Sequence, residues 1–177
     1  MVSPATTFGY NTFGEQTDLS DPRGFVTETV YDGLGRIIEV HHPSYTRPSD
    51  AAAIAPVEYF GYDKVGNKTT ETSRRGQTTT FAFDSLNRPV RQTDPGVSVN
   101  GDGTGGYRVS GVVVSEYDWV GKVTAVVDQV GARTEFSYDM LDRVRTQTDV
   151  VGAFRYTTTF DYDDLGNQTR VIAPNGA

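Results

Sequence analysis

One short phrase recurs along the whole chain: an aromatic residue, an aspartate, two variable positions, and then a residue that tolerates left-handed backbone. It reads Tyr31-Asp32-Gly33-Leu34-Gly35-Arg36, Tyr62-Asp63-Lys64-Val65-Gly66-Asn67, Phe83-Asp84-Ser85-Leu86-Asn87-Arg88, Tyr117-Asp118-Trp119-Val120-Gly121-Lys122, Tyr138-Asp139-Met140-Leu141-Asp142-Arg143 and Tyr162-Asp163-Asp164-Leu165-Gly166-Asn167. A degenerate copy, Tyr10-Asn11-Thr12-Phe13-Gly14-Glu15, precedes them. Successive aromatics stand 21, 31, 21, 34, 21 and 24 residues apart, so the unit is 21 residues and some copies carry insertions. A unit this short cannot bury a face alone and must stack on its neighbours. The constraint therefore falls on architecture before chemistry.

The position three after the aspartate is Gly35, Gly66, Asn87, Gly121, Asp142 or Gly166, all residue types that enter positive φ at low steric cost. A type I turn favours Asp at its first position, and a left-handed residue after it makes a three-residue hairpin loop closed by a bulge. Asp32, Asp63, Asp84, Asp118, Asp139 and Asp163 are thus expected to accept backbone N–H bonds across their own turns. The same grammar recurs at Asp21-Pro22-Arg23-Gly24, Ser73-Arg74-Arg75-Gly76, Asp128-Gln129-Val130-Gly131, Asp149-Val150-Val151-Gly152 and Ala173-Pro174-Asn175-Gly176. Two turns per unit imply an up-and-down antiparallel ribbon, one hairpin per repeat.

The strands entering the turns alternate with period two. Thr79, Phe81 and Phe83 fall on one face, as do Thr134, Phe136 and Tyr138, and Thr158, Phe160 and Tyr162. Stacked copies are expected to bring the repeat aromatics Tyr31, Tyr62, Phe83, Tyr117, Tyr138 and Tyr162 side by side as cross-strand ladders, each pair contributing about 0.2–1 kcal/mol. The returning strands 36–40, 88–93 and 143–148 are more polar, which suits a sheet wet on both sides. The expected fold is all-β: tandem antiparallel hairpins in a curved, spiralling single-layer sheet. It forms one array over 1–177, with repeat cores near 10–15, 31–36, 62–67, 83–88, 117–122, 138–143 and 162–167 and insertions at 43–57 and 95–107.

An apolar content of 36% is low for a well-cored globule and fits a single layer. A net charge of −7 and the lack of a basic stripe argue against nucleic acid as a partner. With no cysteine there are no disulfides and no thiolate metal sites. No apolar run approaches a membrane span, and the first residues do not form an export signal.

The first insertion carries Ser49 and Asp50, either of which suits the cap of a short helix ended by Pro56. Tyr45, Arg47 and Asp50 are candidates to line a groove there, but a surface excursion accounts for the segment. The second insertion, 94–106, is glycine-rich yet lacks the helix and Gly-Lys-Ser/Thr of a phosphate loop and the spaced oxygens of a calcium loop. His41 and His42 are adjacent, so on a strand they point to opposite faces and do not grip one metal. The repeated aspartates sit at equivalent positions, which a turn role explains for every copy and a catalytic role for none. Arg36, Arg88 and Arg143 are expected to pair with neighbouring carboxylates, at about 0–1 kcal/mol for exposed pairs. The expected catalytic, metal-binding and cofactor residues are none.

The Tyr-Asp-x-Leu-Gly-Arg core, the 21-residue unit and the stretch Gly131-Ala132-Arg133-Thr134-Glu135-Phe136-Ser137-Tyr138-Asp139 together resemble the YD-repeat or Rhs family. The resemblance implies a β-sheet ribbon that spirals into a hollow shell, as in bacterial Rhs polymorphic toxins, C components of insecticidal toxin complexes, and teneurins. In bacterial members such a shell contains a C-terminal toxic domain and often ends in a self-cleaving aspartyl protease, for which this chain has no counterpart. The implied function is structural: a segment of a secreted or surface-delivered shell, cut from a longer chain, with no enzyme activity of its own. The expected partners are the remaining repeats of the parent chain, or further copies joined at the two free sheet edges. The alternative is a carbohydrate- or peptide-binding module that uses exposed aromatic rows or an open edge strand. A hydrolase would need two converging carboxylates, which nothing in the sequence supplies.

Overall fold

A computed structural model describes residues 5–46, 52–98, 108–109 and 111–174. The chain divides into two compact units, Met1–Thr80 and Phe81–Ala177. The first holds β1 (Thr7–Tyr10), β2 (Gln16–Ser20), β3 (Val26–Tyr31), β4 (Ile37–His41), β5 (Val57–Tyr62) and β6 (Lys68–Thr72). The division falls inside β7 (Thr78–Phe83). The second unit continues with β8 (Pro89–Thr93), β9 (Val97–Ser98), β10 (Arg108–Val109), β11 (Val112–Tyr117), β12 (Val123–Val127), β13 (Arg133–Tyr138), β14 (Val144–Val151), β15 (Phe154–Tyr162) and β16 (Gln168–Ile172). Among the described residues no helix forms.

The fold is all-β. Fourteen strands form one sheet in sequence order from β1 to β16, with β9 and β10 set apart as a two-stranded ribbon. The sheet is a run of consecutive hairpins that does not close, so β1 and β16 are its outer strands. Period-two alternation is visible in β3 and β7, whose residues alternate between exposed and half-buried along the strand.

Each hairpin closes at its Tyr-Asp turn by the same pair of bonds. The Asp32 N–H donates to the Arg36 carbonyl at 2.9 Å, and the Gly35 N–H donates back to the Asp32 carbonyl at 3.0 Å. The pattern repeats at Asn11, Asp63, Asp84, Asp118, Asp139 and Asp163. Gly66 and Gly121 turn at φ of 103° and 100°, beyond the narrow left-handed basin open to side-chain-bearing residues, whereas Asn87 and Asp142 sit inside it at 60° and 65°. A second irregularity follows on the return strand. Tyr138 pairs with Val144 but Ser137 with Thr146, leaving Arg145 as an extra residue, and equivalent bulges precede Tyr10, Tyr31, Tyr62, Tyr117 and Tyr162.

At the opposite edge, Asp21, Ser73 and Asp128 form turns of the same bonding pattern. Asp149 does not. The structure pairs Asp149 with Tyr156, Val150 with Arg155 and Val151 with Phe154, and the chain reverses over Gly152 and Ala153 alone, with Gly152 at φ 60°. Two consecutive β-branched valines prolong the strand past the expected corner. The Asp149 carboxylate instead accepts a hydrogen bond from Thr134 Oγ1 at 2.8 Å.

Both insertions are pinched at their bases. Tyr45 and Ile54 exchange backbone bonds of 2.9 and 2.8 Å, and β9 pairs with β10. The expected helix cap at Ser49 or Asp50, Arg47, most of the glycine-rich segment and the Asn175-Gly176 turn lie outside the described residues.

A single layer leaves little interior. Among the described residues the buried side chains are Ala125, 1% exposed, Pro56 at the foot of the first insertion, and the polar Thr148, 8% exposed. Ala125 lies opposite Glu116 on one side and Glu135 on the other. Arg133 reaches over it, its Nη1 and Nη2 donating to Glu116 at 2.6 and 2.8 Å and its Nε to Glu135 at 2.9 Å, and Arg155 joins Glu135 from beyond. These bonds hold the Glu116 and Glu135 carboxyls below their ordinary range, with Arg133 the leading cause.

Candidate functional site

The residues repeated most faithfully meet along the edge of the sheet that carries the Tyr-Asp turns. In five of the turns the aspartate uses both carboxylate oxygens. Asp139 Oδ1 accepts from the Leu141 and Arg143 N–H groups, both at 2.9 Å, while Oδ2 accepts from Arg143 Nε at 2.7 Å. Asp32 and Asp84 do the same with Leu34 and Arg36, and with Leu86 and Arg88. Asp63 and Asp163 replace the guanidinium with the amide of Asn67 and Asn167, each at 2.9 Å. Asp118 accepts the Val120 and Lys122 N–H groups. In the degenerate copy, Asn11 Oδ1 takes the Phe13 and Glu15 N–H groups, so an amide performs the same closure.

Protonation of the Asp32, Asp84, Asp139 and Asp163 carboxyls is suppressed. The Arg36 side chain leads in lowering Asp32, the Arg88 and Arg143 N–H groups lead at Asp84 and Asp139, and the Asn167 amide leads at Asp163. A carboxylate kept ionised and fully hydrogen-bonded is a poor general acid.

The repeat aromatics link each turn to the one before it. In the first unit the Tyr31 hydroxyl donates to the Gln16 carbonyl and the Tyr62 hydroxyl to the Ile37 carbonyl, both at 2.9 Å. In the second unit Tyr117, Tyr138 and Tyr162 donate at 2.8 Å to the carbonyls of Pro89, Val123 and Val144. Each acceptor is the fifth residue after the preceding turn's Asp or Asn. Phe83 has no hydroxyl to give.

The basic residue four after the aspartate completes the link. Arg36, Arg88 and Arg143 each place their guanidinium carbon 4.6 Å from the ring centroid of the next tyrosine, Tyr62, Tyr117 and Tyr162. Their Nη1 atoms donate to the carbonyls of Asp63, Asp118 and Asp163 at 3.3, 3.0 and 3.0 Å. Lys122 Nζ stands 5.1 Å from the Tyr138 ring and pairs with Asp142. The expected side-by-side aromatic ladder is therefore replaced by an alternation of ring, cation and ring. Its cause is the strand order: entering strands never neighbour one another, and Phe136 and Phe160 face Gln147 and Val171 instead. The arginines do pair with carboxylates as expected, in their own turns.

A signal for this linkage exists in the sequence. Arginine precedes Tyr62, Tyr117 and Tyr162 at this position, lysine precedes Tyr138, and asparagine precedes Phe83. A tyrosine that buries its ring also needs a partner for its hydroxyl.

The remaining candidates do not converge. His41 Nε2 lies 2.7 Å from Glu39, whereas His42 Nε2 lies 2.9 Å from Glu58, which also meets Arg74 at 3.2 Å. Burial raises the Glu58 carboxyl, but His42 and Arg74 outweigh it and leave the group lowered. Among the described residues no three His, Asp or Glu side chains are placed to hold a metal ion. No helix among them is long and apolar enough to cross a membrane, since none forms. In the first unit an open cleft of about 270 Å³ is lined by Phe25, Tyr45, Asp21 and Arg23.

A single-layer hairpin array whose recurring residues are spent on turns and on turn-to-turn links defines a structural repeat protein. The Teneurin YD-shell family profile matches residues 30–173. The chain belongs to that family. No curated protein matches it in sequence. Among solved structures it is similar to a chain of the TcdB2-TccC3-Cdc42 crystal structure, at 13% identity and a TM-score of 0.71 over 95% of this chain. It is similar to TcdB2-TccC3 without its hypervariable C-terminal region, at 17% identity and 0.70 over 96%. It is also similar to a Photorhabdus luminescens Tc holotoxin pore carrying a TccC3 mutation, at 17% and 0.68 over 94%. In each case it spans 9% of the length of the matched chain.

Proposed function

We propose that this chain is a length of wall in a larger YD-repeat shell that encloses a toxin or effector domain, and that it has no catalytic role. The observation that carries the reading is the turn edge. Aspartates, left-handed corner residues, tyrosines and arginines at equivalent positions are all consumed in closing one hairpin and fastening it to the next. Asp32, Asp63, Asp84, Asp118, Asp139 and Asp163, with their corner residues and aromatics, are read as structural throughout, over a single array spanning 1–177. Its partners are the other repeats of the parent chain, and its place is outside the cell that makes it, reached through that parent. Imaging the complete gene product by electron microscopy tests this. A hollow particle with residues 5–174 in its wall supports the reading, and a compact particle without a lumen, or one with this segment outside the wall, refutes it.

A second reading is favoured by the cleft in the first unit, where Phe25 and Tyr45 are exposed beside the polar Asp21 and Arg23. Aromatic faces flanked by fixed polar groups suit a carbohydrate. Glycan binding lost in Phe25→Ala and Tyr45→Ala would favour it over a purely structural role.

A further inference from the structure

Every junction between one hairpin and the next, three in each unit, has the same register. The seventh residue after the Asp or Asn of a turn lies opposite the third residue before the next repeat aromatic. Thus Asp18 faces Glu28 and Glu39 faces Tyr59 in the first unit, and Ala125 faces Glu135 and Thr146 faces Thr159 in the second. The rule holds where a short turn leads from Ser20 to Val26. It holds equally where the chain leaves the sheet at His41 or Thr93 and returns only at Val57 or Val112. The length of the connection therefore does not set the register. The strands set it, because a slip of one residue would invert their faces, and the tyrosine hydroxyl marks it, always reaching the fifth residue after the preceding Asp or Asn. A strand that arrives with no connection at all meets the same constraints.

The two outer strands carry the halves of such a junction. All five residues of β16 are exposed, whereas β2 and β6, each with a neighbour on both sides, are half-buried throughout. On β1, Phe8 and Tyr10 are 54% and 61% exposed, while Phe60, Phe81, Phe136 and Phe160 at the position of Phe8, and the later repeat aromatics, are half-buried. Among the described residues no strand precedes β1 to offer the Tyr10 hydroxyl a carbonyl, and none follows β16 to bring a tyrosine to the carbonyl of Gln168, the fifth residue after Asp163. Neither strand has an acidic side chain: Thr7–Tyr10 is uncharged, and Gln168–Ile172 carries only Arg170. The overall charge of −7 is thus not placed where these strands would meet, and the interior junctions form at that same charge, one of them with Asp18 facing Glu28.

We infer that β16 of one copy takes β1 of a second copy as its next strand, in the register of the interior junctions. Arg170 then lies opposite Thr7, Val171 opposite Thr6 and Ile172 opposite Ala5, and the Tyr10 hydroxyl of the second copy donates to the Gln168 carbonyl. The joint is continuous with an interface the chain already forms within itself. It is heterologous, so it propagates from copy to copy instead of closing as a twofold dimer. The inference rests on the wall reading, in that it treats a junction between two chains as equivalent to one within a chain.

The sequence has no cysteine, so introduced thiols report the joint directly. Light scattering with chromatography on the full chain is expected to show a mass that rises with concentration and passes that of a dimer. When Thr7→Cys and Arg170→Cys chains are mixed and oxidised, the mixed dimer is expected to exceed both homodimers, because directly opposite strand residues lie within disulfide reach. Thr7→Cys mixed with Val171→Cys, one residue out of register and on the other face, is expected to link about tenfold less. Tyr10→Phe keeps the ring and deletes the hydroxyl bond, and with unchanged far-UV circular dichroism it should raise the dissociation constant about two- to tenfold. The inference is overturned if the chain stays monomeric to about 1 mM, or if Tyr10→Phe assembles as tightly as the parent. It is also overturned if homodimers of Thr7→Cys or Arg170→Cys predominate, which is twofold pairing of like edges, or if Val171→Cys links as readily as Arg170→Cys. Any of these results leaves the wall reading intact, because that reading stands or falls on imaging the complete gene product.

Discussion

Removing one tyrosine from the turn edge measures what fastens hairpin to hairpin. Tyr162 is the clearest case, because its hydroxyl donates to the Val144 carbonyl at 2.8 Å and its ring lies 4.6 Å from the Arg143 guanidinium carbon. Tyr162→Phe deletes the hydrogen bond and keeps the ring, so the expected loss is about 0.5–1.5 kcal/mol. Tyr162→Leu deletes both, and a half-exposed cation–ring contact adds about 0.5–1 kcal/mol. The sum, about 1–2.5 kcal/mol, corresponds to a few degrees in Tm for a chain of this size. Urea unfolding followed by far-UV circular dichroism gives the free energies, with Arg143→Met closing two double-mutant cycles. The Leu cycle is expected to show a coupling of about 0.5–1 kcal/mol. In the Phe cycle the ring remains under the cation, so the two changes should add to within about 0.5 kcal/mol. A Tyr162→Phe variant as stable as the parent, or strict additivity in the Leu cycle, would show that the links are incidental to stability.

Three further outcomes follow from the geometry. Gly66 and Gly33 both have open space where a Cβ would stand, but only Gly66 has positive φ, at 103°. Gly66→Ala should therefore cost about 1–2 kcal/mol in thermal or chemical unfolding, and Gly33→Ala should be neutral or slightly stabilising. Ala125→Leu forces a larger side chain beneath the Arg133 bridge between Glu116 and Glu135, and should destabilise by about 1–3 kcal/mol in the same assay. The Asp32, Asp84, Asp139 and Asp163 carboxyls lie below their ordinary value of 3.8 in the fold. The stability they lend is present in full above that value and is lost as pH falls through the lower folded values. Unfolding free energy measured against pH should hold level above about pH 5 and fall below about pH 4, more shallowly in Asp139→Asn.

Much of this fold is legible in the sequence because its turns are local. An aspartate followed three residues later by glycine, asparagine or aspartate states a backbone conformation outright, and the structure places Gly66, Asn87 and Gly121 at positive φ in such corners. Asp149 shows where local reading fails. Its turn signal is as good as that of Asp128, yet Val150 and Val151 gain more from pairing with Arg155 and Phe154 than from bending. The links between hairpins are harder to read because they depend on register. Only when a bulge leaves Arg145 unpaired is the relation between Tyr138 and Val144 set, and the hydroxyl partners follow from such registers repeated across strands. The bridge over Ala125 joins Glu116, Arg133 and Glu135, which become neighbours only through two successive strand pairings.

The claim on which the rest depends is that within each unit consecutive hairpins lie side by side in one layer, with no second layer packed on either face among the described residues. Long-range nuclear Overhauser effects from an isotopically labelled sample test it most directly. The account predicts backbone contacts between strands adjacent in the order, such as Glu135 to Thr148 and Thr148 to Thr157, and side-chain contacts no further than the next hairpin. Methyl or ring contacts between strands of one unit three or more places apart in that order, as in a sandwich of two sheets, would contradict it.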